Sequence, residues 1–149
     1  MADVSPPAGP ATTPSYADLL AVGEQIFGLA RVGDTETLVA LVDRGVPVDL
    51  RDAAGNSLLM MAAYHGHAEA TAALAGRGAD VDLLNDAGRS PLAGAVFKGH
   101  DQVVRVLVGH GASPYRGAPN AIATALAFGR TDLERMLRGA GATDARKKD

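Results

Sequence analysis

Apolar residues recur at helical spacing in several short stretches of the chain: Leu38, Leu41 and Val42; Val103, Val104 and Leu107; Leu133, Met136 and Leu137. Steps of three and four residues put each set on one face of a helix. A further stretch keeps the rhythm with smaller side chains, Ala70, Ala73 and Leu74. Ahead of these, Leu19, Leu20, Ile26 and Leu29 mark a longer helix that runs to about Arg31. Ser15-Tyr16-Ala17-Asp18 has the form of a capping box that opens it.

The stretches are punctuated at a fixed interval. Gly33, Gly66, Gly99 and Gly129 are separated by 33, 33 and 30 residues, and so are Gly45, Gly78, Gly111 and Gly141. Two glycine series in register identify an internal repeat, the signature of a stacked architecture. Ser57, Ser90 and Asn120 occupy equivalent places, and each is a good N-cap residue. Pro91 follows at the first helical position, where its missing N–H costs nothing. Gly66, Gly99 and Gly129 are expected to close the first helix of each pair in the left-handed conformation. Gly45, Gly78, Gly111 and Gly141 are expected to close the second.

The flanks agree as well. Asp52-Ala53-Ala54-Gly55-Asn56-Ser57-Leu58-Leu59 matches Asn85-Asp86-Ala87-Gly88-Arg89-Ser90-Pro91-Leu92, and His67 and His100 follow their glycines. Ala79-Asp80-Val81-Asp82 and Ala112-Ser113-Pro114 follow Gly78 and Gly111. This resembles the ankyrin pattern D-x-x-G-x-T-P-L-H-x-A-A-x-x-G-H…L-L-x-x-G-A-D-V-N over residues 24–144, strongly in the second and third repeats and in eroded form in the first and fourth. The resemblance implies an all-α solenoid of helix-turn-helix pairs with short β-turn fingers. One domain over 15–144 follows, with repeats at about 15–51, 52–84, 85–114 and 115–144. The proline-rich residues 1–14 are expected to be a disordered tail and 145–149 a short basic one.

Departures from the pattern carry expectations too. The first helix lacks the T-P-L-H start and is long, which suits an N-terminal cap on an open stack. Charged Glu134, Arg135 and Arg138 suit the opposite cap. The three missing residues fall between Gly111 and Gly129, so the finger through Tyr115-Arg116-Gly117-Ala118-Pro119 should be short, with Pro114 and Pro119 stiffening it. The T-P-L-H histidine is Met60 in one repeat and Ala93 in the next, so its bonds between repeats must be lost or replaced. The asparagine after A-D-V is Asp82.

Composition narrows the function. Aromatics are 4% and Trp is absent, so the core must come from closely packed Ala, Leu, Val and Met. A net charge of −3 gives no general attraction to nucleic acid. The absence of cysteine removes disulfide and thiol chemistry and permits a cytoplasmic location. Residues 1–14 have no basic start or apolar run of signal-peptide form, and no stretch approaches the ~20 apolar residues that span a bilayer. No nucleophile elbow, Walker loop or H-E-x-x-H is present, so an enzyme is not expected, and neither is a cofactor.

The resemblance implies a protein-binding module that works through a concave face of finger tips and first helices. The residues before each helix-closing glycine fall on that face: Arg31-Val32, Tyr64-His65, Phe97-Lys98 and Ala127-Phe128. The finger positions that vary in the family correspond to Arg51, Ala53, Asn56, Leu84, Asp86 and Arg89. Aromatics beside Arg and His have the composition of a binding hot spot. Tyr64 and Phe97 could equally cover the small alanines of the neighbouring layer. His67 and His100 are expected to tie neighbouring repeats by bonding finger backbone. At ~10 Å between layers they cannot share a metal ion. Asp80 is expected to make a local turn bond. A monomer with one protein partner is the leading expectation, and a self-associating structural protein or a small-ligand or metal binder are the alternatives.

Because Ala70, Ala73 and Leu74 bury less area than their counterparts, the second helix of the second repeat is predicted to be the weakest layer. Amide hydrogen exchange should show it opening first. Finding it the most protected segment would refute this.

Overall fold

A computed structural model describes residues 15–148. The expected tail over 1–14, Asp149, and the side chains of residues 16–20 and 142–148, those of the expected basic tail included, lie outside the described residues. The helices are α1 (Tyr16–Val32), α2 (Thr35–Asp43), α3 (Leu58–Tyr64), α4 (Ala68–Gly76), α5 (Pro91–Lys98), α6 (Asp101–Gly109), α7 (Ala121–Ala127) and α8 (Thr131–Lys148). They form four pairs. The first helices α1, α3, α5 and α7 pack side by side in one layer, and α2, α4 and α6 in a second. Among the described residues there is no β-sheet, only an isolated bridge between Arg51 and Ser57 at the base of a finger.

Capping fixes where the first helices begin. Ser57, Ser90 and Asn120 accept from the backbone N–H groups of Met60, Ala93 and Ala123 at 3.0, 3.1 and 2.8 Å. Asp34 does the same for α2 through Thr37 N–H. Pro91 sits in the first turn of α5 as expected. The core runs through the stack as Leu38, Leu58, Leu59, Leu74, Leu92, Val103, Val104, Leu107 and Leu137. Ala62, Ala63, Ala70, Ala95, Ala121 and Ala125 are fully buried between them, small enough to let helices approach closely.

The glycines close the helices with one exception. Gly33, Gly66, Gly99 and Gly129 and then Gly45, Gly78 and Gly111 all take positive φ. Gly141 does not: it lies inside α8, which continues to Lys148. The expected stop fails there: Gly141 keeps helical backbone. Gly141 serves packing instead, since a Cβ there would come within 2.8 Å of the Tyr115 hydroxyl.

Polar ties join each layer to the next. The Asp52 carboxylate accepts from the N–H groups of Ala54 and Asn56, both at 2.9 Å, and shapes one finger. The Asn85 side-chain oxygen shapes the next through Ala87 and Arg89, both at 3.0 Å. Between fingers, Asp86 N–H donates to Ala54 C=O at 3.0 Å and Ala118 N–H to Gly88 C=O at 3.1 Å. Below them, the Asp49 carboxylate accepts from Asp80 N–H at 2.9 Å, and Asp82 accepts from Ser113 N–H at 2.8 Å. Asp80 makes the local bond expected of it, to Asp82 N–H at 3.0 Å. These bonds supply the connections that Met60 and Ala93 cannot.

The histidine tie differs in its acceptor. His67 Nε2 donates to the carbonyl of Arg31 at 2.7 Å, so it binds the end of α1 and not finger backbone. The reason is steric. Gly33 leaves an open seat at the helix end, and the His67 ring fills it. Gly66 offers the same seat to His100, where a Cβ would meet the ring at 2.8 Å. In the fourth repeat the position after the glycine is Arg130. It reaches Asp101 at 2.8 Å and Asp132 at 3.0 Å, linking the N-termini of α6 and α8.

This geometry distinguishes two substitutions. Gly66→Ala and Gly99→Ala both force a left-handed alanine, at roughly 1–2 kcal/mol each. Gly99 has open space around its missing Cβ, whereas Gly66 faces the His100 ring. Gly66→Ala is expected to cost measurably more in urea denaturation, and adding His100→Ala should remove the excess. Equal losses in the two single variants would show that the ring seat contributes nothing.

Candidate functional site

The ends of the first helices form a row across the stack. α1 ends on Arg31 and Val32, α3 on Tyr64 with His65 as its C-cap, α5 on Phe97 and Lys98, and α7 on Ala127 with Phe128 as its C-cap. The left-handed glycine that follows in each layer turns the chain away and leaves these side chains at the rim. Val32, Phe97 and Phe128 are 70%, 44% and 54% exposed. Tyr64 is half-buried.

The aromatics are linked to each other and to cations. Phe97 and Phe128 meet edge to face with centroids 5.5 Å apart. His65 stands edge-on to Tyr64 at 5.7 Å. Lys98 lies 5.2 Å from the Tyr64 ring centre, and the Arg89 guanidinium 5.0 Å from that of Phe97. Cations over ring faces gain quadrupole attraction and hold the rings in place. Tyr64 therefore both packs and displays. Its ring comes close to Gly94 of the next layer, where an added Cβ would meet it at 3.4 Å. The packing expected of Tyr64 is present, with part of its ring left exposed, while Phe97 is exposed.

Beside this row, between the second and third layers, is a cavity of about 190 Å³ lined by Asn56, Met60, Met61, Tyr64, Asn85 and Arg89. Met60 forms its buried floor. Asn85 Nδ2 donates to Asn56 Oδ1 at 2.9 Å along its finger side. The cavity is below the ~300 Å³ usual for a small-molecule site and suits a single side chain. Met60, Met61 and Asn85 escaped sequence reasoning as site residues. The signal was present: methionine in place of a polar family residue leaves a soft, apolar floor.

Several finger residues singled out in sequence are engaged within the stack. Arg51 donates to Gly55 C=O at 3.1 Å and Leu84 C=O at 3.0 Å, with Asp86 at 3.6 Å. Asn56 is held by Asn85. Leu84 is half-buried beside Gly117 of the following finger. The structure gathers Tyr64, His65, Arg89, Phe97, Lys98 and Phe128 around the rim and the cavity. Arg51, Leu84 and Asp86 lie together at the fingers.

Electrostatics mark the same place. The His65 imidazole is held below its ordinary pKa of 6.5, first by partial burial and then by the positive charges of Arg31, His67, Lys98 and His100. On the far side of the stack, Arg77 pairs with Asp43 at 2.9 Å, and this hydrogen bond holds the Asp43 carboxyl below its usual range. Among the described residues no group of three His, Asp or Glu side chains could hold a metal ion. Nor is any described helix long and apolar enough to cross a membrane.

Residues 26–117 match the family of ankyrin repeats, in three copies. A protein of Pseudomonas aeruginosa named as an ankyrin repeat protein is 52% identical over 44 residues. That alignment covers 30% of this chain and 26% of the relative, so the match spans about a quarter of the relative's length.

The charge environment of His65 gives a direct measurement. In an NMR titration its midpoint should lie below 6.5, and Lys98→Gln should move it upward. The folded protein takes this proton less readily than the unfolded chain. Its contribution is therefore neutral well above 6.5, and stability is eroded as pH falls through 6.5 toward the folded midpoint. A midpoint at or above 6.5 would contradict the partial burial and crowding of positive charge around His65.

Proposed function

Because the chain belongs to the ankyrin-repeat family, we propose that it binds another protein through the face built by its first helices and fingers, as a regulator or accessory subunit of that partner. Ankyrin repeats are in general protein-interaction modules. The observation that carries the reading for this chain is the exposed row of Phe97, Phe128 and Val32 beside Tyr64, continuous with a cavity of side-chain size. A soluble surface gains nothing by holding two phenylalanines edge to face in water. At an interface such rings supply large contact area at low entropy cost. The cavity volume favours a partner's side chain over a free ligand. The charged pair Glu134–Arg138 on α8, 2.7 Å apart, favours a monomer over end-to-end stacking. The cytoplasm is the proposed location.

The test uses the most exposed pair. Phe97→Ala with Phe128→Ala should leave the melting temperature within a few degrees of wild type, because exposed substitutions cost little. The variant should also fail to co-purify the partner that wild type retains from lysate of the source organism, identified by mass spectrometry. Retention of the same partner at the same yield would place the binding surface elsewhere.

A further inference from the structure

The chain carries a net charge of −3, yet acids are scarce along its first helices. The sequences of α3, α5 and α7 contain no Asp or Glu. The second helices carry both signs, Glu36, Asp43, Glu69, Asp101, Asp132 and Glu134 together with Arg105, Arg135 and Arg138. On the first-helix face the charged rim residues are Arg31 and Lys98, with Arg89 at the cavity and His65 between them. In α1, Glu24 lies two turns back from Arg31. Arg31, Arg89 and Lys98 form no ion pair with a carboxylate among the described residues. Lys98 and Arg89 face Tyr64 and Phe97 instead. Asp86, the exposed acid of the adjoining finger, is turned to Arg51 at 3.6 Å. Asp52 is committed to its own turn.

We propose that this face takes an extended acidic segment of a partner protein, with one apolar side chain of that segment seated in the cavity between Met60, Tyr64 and Arg89. The inference rests on the protein-binding reading above and adds the chemistry of the partner. Charge complementarity selects the sign. Arg31 and Lys98 flank His65 from the layers on either side, and their charge adds to its partial burial in holding the imidazole below its ordinary pKa. Spacing selects the form. Neighbouring helices lie roughly 8–10 Å apart, and an extended chain advances about 3.3 Å per residue, so one layer corresponds to about three residues. Arg31 and Lys98 stand two layers apart, so carboxylates about six residues apart would meet both. The methionine floor and Tyr64 wall accept an aromatic or long aliphatic side chain, while Arg89 and the Asn56–Asn85 pair can hold the flanking backbone or a carboxylate.

The test is selection of a random 16-residue peptide display library on the intact protein, followed by anisotropy titration of the enriched peptides. Enriched sequences should be net acidic with at least one large apolar residue. Their affinity should fall at least about tenfold in the Arg31→Glu, Lys98→Glu double variant, and should fall as salt is raised. Both positions are exposed, so a circular dichroism melt should be unchanged. Arg31→Gln with Lys98→Gln should give an intermediate loss. Peptides that need Phe97 and Phe128 but are neutral or basic, or ignore the charge reversal, would overturn the acidic partner and leave the protein-binding reading standing. Displacement of the peptides by an equal charge of single-stranded oligothymidylate would overturn it in favour of nucleic acid. Failure to enrich any peptide sensitive to Phe97 and Phe128 would remove both.

Discussion

Helices of seven to nine residues do not stand alone in water, because so short a segment cannot recover the entropy of ordering its backbone. A single pair here cannot bury its apolar stripe either. What holds the chain is the contact between one layer and the next. Leu58, Leu92, Val104 and Leu107 vanish from solvent only because a neighbouring pair covers them. Everything else follows from keeping the layers in register. The caps fix where each first helix begins, the left-handed glycines fix where it ends, and the carboxylates of Asp49 and Asp82 pin each turn to the next.

Register also makes the candidate site. Because each first helix ends at the same height, the two residues before its glycine align across the stack into one rim. The buried alanines of α3, α5 and α7 leave those helices with little to show except at that rim. Few aromatics are available to the chain, and Phe97 and Phe128 are placed there in contact with one another. The acids are placed elsewhere, or tied up in finger turns. The surface is thus apolar and basic on a chain whose total charge is negative.

Helix caps, glycine closures and the repeat interval were legible in sequence because each is a local property with a fixed residue type. So was the rim, since position relative to the glycine decides exposure. Contacts between layers were harder to read. The His67 acceptor is a carbonyl 36 residues away, and nothing near His67 names it. Arg130 takes the histidine place in the last repeat, where a long guanidinium reaches both Asp101 and Asp132. Gly141 looked like its three counterparts, but it lies within α8 without positive φ, its place set by the Tyr115 ring packed against it. The cavity arose from Met60 and Met61 together with residues on two fingers, a conjunction no single stretch encodes.

The backbone bonds between fingers run in one direction. Each later finger donates an amide to a carbonyl of the one before, Asp86 to Ala54 and Ala118 to Gly88, and the carboxylates of Asp49 and Asp82 receive the next turn in the same sense. Every interior unit thus presents one complementary donor edge and one acceptor edge, like a tile with a tongue and a groove. Tandem duplication of such a unit within the gene would splice a new layer into the stack without orphaning a hydrogen bond. The width of the rim is therefore a quantity that evolution can change by whole steps, leaving both end helices as they are.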